Sequence, residues 1–122
     1  MIRNKNMEKL KYHDQLKKFM KEYAHGIYDI TVKFPKEEIF GLVSQIRRAG
    51  LSVLLNYIEG FARQRNAVMK NFYEISYGSL KESMILLEFS YERKYVSKTD
   101  FERLYNMGDQ IGKMIWAILL KI

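Results

Sequence analysis

The chain has 122 residues, 48% of them hydrophobic, with no cysteine and a formal net charge of +7. A chain of this length and apolar content can bury one core without disulfides or a structural metal, which predicts a single domain over residues 1–122. The absence of cysteine excludes disulfide frameworks, thiolate metal centres and thiol catalysis, and the absence of a long apolar segment favours a cytoplasmic protein without membrane contact.

The basic excess is concentrated near the amino-terminal end of the chain. Residues 1–36 hold nine lysines and arginines against four acidic residues, while the remainder of the chain is nearly balanced. A positive surface of this kind attracts partners that carry negative charge, nucleic acid above all. We expect residues 1–12 to form a basic, partly flexible tail in front of the helices.

Apolar residues recur at the helical spacing of three and four along the whole chain, which predicts an all-α protein with four helices. The first helix is predicted over residues 14–33, and Pro35 ends it because a proline disfavours helical backbone in the residue before it. The second helix is predicted to begin at Pro35, which suits the first helical position, and to end near residue 62. Its core stripe is expected to run from Ile39 to Phe61.

The third and fourth helices follow after short connections. The third is predicted over residues 66–95, and the fourth begins after Ser97, which has the spacing of a capping box with Asp100. Short connections force consecutive helices to lie side by side in opposite directions. We therefore predict an up-down-up-down antiparallel four-helix bundle.

This topology brings the tail, the connection between the second and third helices, and the chain end to one pole of the bundle. Positive charges from all three would meet there, from Arg3 and Lys5 in the tail to Lys121 at the chain end. Guanidinium groups are planar, permanently charged and suited to bidentate phosphate contacts. The candidate nucleic-acid-binding residues are Arg47, Arg63, Arg65, Lys9 and Lys11.

The second helix carries two further faces beside its core stripe when each residue is advanced by about 100°. One is an apolar flank that a single bundle would leave exposed, and contiguous exposed apolar surface marks association sites, so this flank predicts a homo-oligomer. The apolar flank consists of Leu51, Leu55, Ile58 and Ala62. The other face is a polar ridge, roughly opposite the core stripe, formed by Gln45, Arg48, Ser52, Asn56, Glu59 and Arg63.

The polar ridge has two interpretations. In the first, Arg48, Asn56 and Glu59 are solvated or form hydrogen bonds within or between subunits, since a buried arginine needs a carboxylate. In the second, the arginines of this region contact phosphates. Both can hold for different members, with Arg48, Asn56 and Glu59 at the oligomer interface and Arg63 free to meet a ligand.

No catalytic motif is complete in the sequence. Glu22 and His25 match the Glu-x-x-His element of di-iron bundles, but such a site needs a second copy of the element and carboxylates from other helices. The only other histidine, His13, belongs to no such motif. We expect no metal, no cofactor and no enzymatic activity, and a metal-dependent enzyme that uses Glu22 and His25 is the least favoured hypothesis.

One long stretch of the chain carries a family resemblance. It runs from Phe34 to Arg65 and reads FPKEEIFGLVSQIRRAGLSVLLNYIEGFARQR. It resembles the S23 or 23S rRNA intervening-sequence protein family, and the similarity covers about residues 14–122. The family's signature positions correspond here to Gln45, Arg47, Arg48, Ser52, Asn56, Glu59, Gly60 and Arg63.

The resemblance implies a four-helix bundle that assembles as a ring-like homopentamer, is encoded in some bacteria within insertions in large-subunit ribosomal RNA genes, and has no established enzymatic activity. The chain departs from the family where the family has a proline and small residues. Larger side chains stand there and extend the apolar flank, namely Leu54, Leu55, Tyr57 and Ile58.

Two functions from different classes follow from these observations. The first is a non-enzymatic pentameric bundle that binds nucleic acid through its basic residues, with RNA as the expected ligand and DNA as the alternative. The second is an oligomeric adaptor that recruits a protein such as a reverse transcriptase or another polymerase, without a direct nucleic-acid role. The accessory variability determinant proteins of diversity-generating retroelements, which resemble this family in fold, bind both nucleic acid and a reverse transcriptase.

Overall fold

The computed structural model describes the backbone of residues 2–122 and the side chains of residues 6–122. Four α-helices dominate it: α1 at Ile2–Thr31, α2 at Ser44–Phe61, α3 at Asn66–Glu92 and α4 at Lys98–Leu119. The prediction of an all-α protein with four packed helices is confirmed. The predicted start of the fourth helix is also confirmed, because Ser97 Oγ accepts a hydrogen bond from the amide of Asp100 at 3.1 Å.

Neighbouring helices run antiparallel. Tyr12, early in α1, donates a 2.9 Å hydrogen bond from its hydroxyl to the carbonyl of Met114, late in α4. Ser76, in the first half of α3, donates a 2.6 Å bond to the carbonyl of Val53, in the second half of α2. The contact between α2 and α3 is the most extensive, and α4 packs against both α3 and α1. The four helices therefore surround one core in chain order.

The core is a continuous column of apolar side chains between the four helices. Gly108 allows α3 and α4 to pack closely because it has no side chain. A Cβ at this position would lie 2.9 Å from the sulfur of Met84. Burial of this apolar surface is the main source of stability for such a bundle. The largest fully buried side chains are Tyr23, Tyr57, Tyr73, Leu16, Met20, Ile27, Ile46, Leu80, Leu87, Leu104, Ile111 and Ile115.

The predicted start of the first helix, near Asp14, is wrong. The observed α1 already begins at Ile2, because residues 2–13 contain no glycine or proline and are rich in residues that favour helices. From Ile2 to residue 12, the predicted basic tail is therefore helical along its backbone. The side chains of Arg3 and Lys5, which were expected to add charge to the pole, lie outside the described residues.

The predicted start of the second helix also needs correction. After Pro35 the chain forms a single 3-10 turn at Lys36–Glu38 and a wider π turn at Ile39–Val43, and only then does α2 begin. Gly41 leaves the helical region, with φ −108° and ψ −107°. This break shifts the phase of the apolar stripe, and Ile39, which was expected in the core, is 50% exposed.

Candidate nucleic-acid interface

One pole of the bundle brings together residues 8–13 of α1, the first turn of α3 and the last turns of α2 and α4. The ring of His13 in α1 packs on that of Phe61 at the end of α2, with centroids 4.5 Å apart. A cleft of about 710 Å³ opens between these segments, and Lys9 from α1 and Lys121 from the chain end both line it. We call this end the basic pole, and its cations are Lys9, Lys11, Arg63, Arg65 and Lys121.

The two arginines between α2 and α3 have different surroundings. A 2.6 Å ion pair joins Arg63 to Glu59, one turn earlier, and the Arg63 guanidinium lies over the ring of Phe72, 5.2 Å from its centroid. Arg65 is exposed, and within the part of the chain that the structure describes it makes no ion pair. The backbone carbonyl of Arg65 accepts the amide of Met69 at 2.9 Å, which fixes the start of α3. The charge of Arg65 is open to a ligand, whereas that of Arg63 is shared with Glu59.

The cleft at the basic pole has a buried aromatic floor that sequence reasoning missed. His13 is 7% exposed, and its Nδ1 is hydrogen-bonded to the hydroxyl of Tyr57. The ring of Tyr57 stacks in turn on that of Tyr73, with centroids 5.2 Å apart. Burial raises the pKa of Tyr57 and raises the pKa of Tyr73 to about 12, so both phenols are neutral at physiological pH.

The buried position of His13 had a signal in the sequence. His13, Leu16 and Met20 follow one another at helical spacing, and the last two are core residues. In the folded protein burial lowers the pKa of His13, the nearby charge of Lys9 lowers it further, and the carboxylate of Asp14 opposes both. His13 is therefore a neutral, interior part of the pole and adds no positive charge to it.

Arg47 is not brought to the basic pole. Its Nε donates a 2.8 Å hydrogen bond to Oγ1 of Thr31, at the end of α1, and its Nη2 donates to the carbonyl of Tyr28 at 3.3 Å. The guanidinium also lies over the Tyr28 ring, 4.5 Å from the centroid. These contacts hold Arg47 against α1 at the opposite end of the bundle. Its neighbour Arg48 is exposed.

The middle of the polar ridge is not opposite the core, which corrects the prediction from helical spacing. Ser52 Oγ lies 2.8 Å from Ser79 Oγ on α3, and Asn56 Nδ2 donates to the carbonyl and the hydroxyl of Ser52 at 2.9 and 2.8 Å. Both side chains are half-buried at the α2–α3 seam. Asn56 therefore forms hydrogen bonds within the chain, which is one of the options in the first interpretation.

The apolar flank of α2 is uncovered in the single chain, as expected. Leu55 is 57% exposed, Ile58 is 39% exposed and Leu51 is half-buried. Helical spacing separates these side chains from both seams of α2, since Gly50 packs on α1 and Ser52 on α3. The flank is thus an outward apolar surface.

The exposed apolar surface extends beyond the flank to a residue that the sequence analysis did not single out. Phe40, in the π turn before α2, is 95% exposed, and Val32, just after the end of α1, is 75% exposed. Both line an open groove of about 1010 Å³, together with Leu51 and Leu55. The sequence carried one signal for this surface, Gly41, since a glycine permits the break in the helix that follows Phe40.

The remaining candidate residues form no site in the structure. Glu22 faces Lys18 at 4.0 Å, and His25 is exposed on α1. Among the described residues no group of three or more histidine, aspartate and glutamate side chains has the arrangement of a metal site. Within residues 2–122, every helix is too short or too polar to span a membrane.

Comparison with known proteins agrees with this architecture. The family model of the 23S rRNA-intervening sequence protein matches residues 9–117. The chain is also similar to the crystal structure of a protein of unknown function from the S23 ribosomal protein family of Bacteroides thetaiotaomicron VPI-5482, with a TM-score of 0.77 and 25% identity over 85% of this chain and 97% of that chain. No curated protein matches the chain. The resemblance carried by Phe34 to Arg65 is thereby confirmed, and the chain belongs to the 23S rRNA-intervening sequence protein family.

Proposed function

We propose that this protein is a non-enzymatic cytoplasmic homo-oligomer, pentameric as in the family resemblance, which binds RNA phosphates through its basic pole. One observation carries the proposal above the others. The cations of α1, of the α2–α3 connection and of the chain end stand together at one pole, where Glu8 and Glu59 offset only part of their charge. Such a cluster neutralises phosphates and releases the counterions condensed on them.

The choice of RNA over DNA is supported by the family description. The matching model is named for the intervening sequences of 23S rRNA, and the similar solved structure is assigned to an S23 ribosomal protein family. Those names describe the relatives. For this chain they favour an RNA ligand that is recognised by charge, since single strands and loops present accessible phosphates and unstacked bases.

The oligomer is supported by the outward apolar flank of α2. Leu55 and Ile58 expose 57% and 39% of their surface in the single chain, which a soluble assembly would cover. A closed ring of identical subunits would repeat the basic pole around one axis. Several weak phosphate contacts then act together on one RNA, and the avidity of the assembly exceeds the affinity of any one subunit.

The test is a salt titration of RNA binding by fluorescence anisotropy. With roughly six to ten phosphate contacts, affinity should fall on the order of a thousandfold or more between about 50 and 200 mM salt.

The double variant Arg63→Glu/Arg65→Glu should lose RNA binding. The matched control is Arg93→Glu/Lys94→Glu, which makes the same charge change in the turn after α3, at the other pole. No RNA binding by the wild-type protein at low salt would refute the proposal, and so would equal losses in the two double variants.

The adaptor function is favoured by a different observation, the nearly full exposure of Phe40 beside the groove that Val32 and Leu55 line. A protein partner could bury this side chain as an anchor. Affinity capture from a nuclease-treated lysate separates the two functions, because a partner protein should remain bound after the nucleic acid is destroyed. Phe40→Ala should then lose that partner while it retains RNA binding.

A further inference from the structure

We propose that the cleft at the basic pole binds a single nucleotide, with the base against its aromatic side chains and the phosphate near Lys9 and Lys121. The inference rests on the proposed RNA binding for one possible source of the nucleotide, an unpaired residue of an RNA strand. A free nucleoside monophosphate presents the same chemistry. The shared ligand is an aromatic base joined through a sugar to a phosphate.

The unpaired hydroxyl of Tyr73 is the observation that indicates a ligand in this cleft. Tyr73 is 1% exposed and lines the cleft, yet its hydroxyl has no hydrogen-bond partner among the described residues. Among the buried side-chain nitrogen and oxygen atoms of those residues, it alone is unpaired. Buried polar atoms are almost always satisfied, so an exception on a side chain that lines a cleft marks a place where a further polar group can enter. A phenol can donate and accept, which suits the edge of a base, where donors and acceptors alternate.

Aromatic surface for the base is available beside that hydroxyl. Phe61 is 41% exposed and Tyr12 is half-buried, and both line the cleft. The Tyr12 ring is held in place by the hydrogen bond from its hydroxyl to the Met114 carbonyl, and Phe61 by its contact with His13. Rings that are already fixed lose little conformational freedom when a base stacks on them, and stacking accepts any base.

The charges and the size of the cleft fit the rest of a nucleotide. Lys9 and Lys121 line it from α1 and from the end of the chain, Glu8 is the acidic side chain beside them, and Asn66 adds an amide. A dianionic phosphate can thus meet two cations from different elements. The volume of about 710 Å³ lies within the range of roughly 300–1,000 Å³ that is usual for small-ligand sites.

The test is isothermal titration calorimetry of the 122-residue protein with each of the four nucleoside 5′-monophosphates and with inorganic phosphate. Tyr73→Phe removes the unpaired hydroxyl and keeps the ring, and it should weaken monophosphate binding about tenfold. Tyr91→Phe is the matched control, because Tyr91 stacks on Phe101 away from the cleft, and it should bind as the wild type does. Thermal unfolding of Tyr73→Phe at or above the wild-type temperature shows that any loss of binding is not a loss of folding.

A second arm distinguishes the two sources of the nucleotide. It compares a short single-stranded oligouridine with the same strand that carries abasic residues. If the free monophosphates do not bind but Tyr73→Phe weakens the intact strand and not the abasic strand, the site takes a nucleotide only from RNA, and the inference is supported. The inference is overturned if Tyr73→Phe changes neither monophosphate nor oligonucleotide binding, or if inorganic phosphate binds as tightly as the monophosphates.

The same measurements separate this inference from the proposed function. Suppose that Arg63→Glu/Arg65→Glu loses oligonucleotide binding and Tyr73→Phe has no effect in either arm. This result would support the RNA-binding pole and refute the nucleotide site. Monophosphate binding that depends on Tyr73, without measurable affinity for any RNA, would support the nucleotide site and refute the proposed function.

Discussion

The guanidinium of Arg63 lies 2.6 Å from the carboxylate of Glu59, so one of the two arginines between α2 and α3 is already paired before any ligand arrives. Arg65, two residues later, lies outside this pair. The pair is exposed and therefore contributes little to stability. Under the proposed function, the pair affects binding, because Glu59 places negative charge at the pole that would meet a phosphate.

Removal of that carboxylate should strengthen RNA binding. Glu59→Gln frees Arg63 and removes a repulsion, and we expect about two- to fivefold higher affinity at low salt, with a smaller gain as salt rises. Fluorescence anisotropy at several salt concentrations measures the affinity of each variant for RNA. The matched control is Glu102→Gln, since Glu102 also pairs with a lysine four residues away, Lys98 at 3.8 Å, but at the start of α4. Equal gains from both variants would mean that only net charge matters.

Assembly should depend on the apolar flank of α2. Leu55→Glu puts a charge into the proposed subunit contact and should weaken association on the order of tenfold or more, as measured by light scattering over a range of concentrations. Ile85→Glu is the matched control, because Ile85 on α3 is also 57% exposed, like Leu55. A wild-type protein that is monomeric at micromolar concentration would contradict the proposed assembly, and so would equal dissociation of both variants.

Two buried tyrosines should differ in how the loss of the hydroxyl changes the free energy of unfolding. Tyr23 Oη lies 2.7 Å from Ser83 Oγ, and because Ser83 donates its own proton to the Leu80 carbonyl, Tyr23 must be the donor. Tyr23→Phe should lower the free energy of unfolding by about 1 kcal/mol, whereas Tyr73→Phe, which removes an unpaired hydroxyl, should leave it unchanged or raise it by up to about 1 kcal/mol. Urea denaturation measures both, and similar losses would contradict the assignment of Tyr73 as unpaired.

The α2–α3 contact should tolerate no side chain at Gly60. A Cβ there would lie 2.6 Å from Cε1 of Tyr73, whose ring is backed by Tyr57, so the ring has little room to move. Gly60→Ala should cost about 1–3 kcal/mol in thermal or urea unfolding. Gly78→Ala is the matched control, because nothing lies within 4 Å of its Cβ position, and it should stabilise α3 by roughly 0.5–1 kcal/mol. A harmless Gly60→Ala would show that α2 and α3 are less closely packed.

Stability should fall as His13 takes up a proton. Burial lowers the pKa of His13 in the folded protein, and the charge of Lys9 adds to this, so the unfolded chain binds more protons just below the ordinary histidine pKa. The free energy of unfolding should therefore decrease as pH is lowered from that ordinary value through the depressed one. His13→Asn keeps a hydrogen-bonding group near Tyr57 but does not titrate. Its unfolding free energy, measured by urea denaturation at each pH, should lose this part of the slope; parallel curves for the two proteins would rule the mechanism out.

Much of the fold could be predicted because helical spacing is a local property. The observed α3 and α4 begin close to their predicted starts, and for α4 the reason is local, because the side chain of Ser97 caps the helix. The predicted starts of α1 and α2 were wrong for reasons that the spacing of apolar residues cannot reveal. Nothing in residues 2–13 stops a helix, and Gly41 interrupts one where the apolar residues continue.

The candidate site was only partly predictable. The order of the helices was enough to gather Lys9, Arg65 and Lys121 at one pole, because short connections fix which helix ends meet. Spacing could not tell that Arg47 bonds to Thr31, or that the polar ridge meets Ser79, since these contacts depend on the rotation of each helix about its axis.

By itself, then, the sequence determined the helical class, the antiparallel order and the positive end, which follow from the period of apolar residues, the short connections and the count of charges. Only the tertiary structure decided which of those charges are unpaired. It also decided that His13 and Tyr73 form the floor of a cleft and that Phe40 is exposed to solvent. The physical reason is that pairing and burial depend on the neighbour that packing supplies, and that neighbour is remote in the chain.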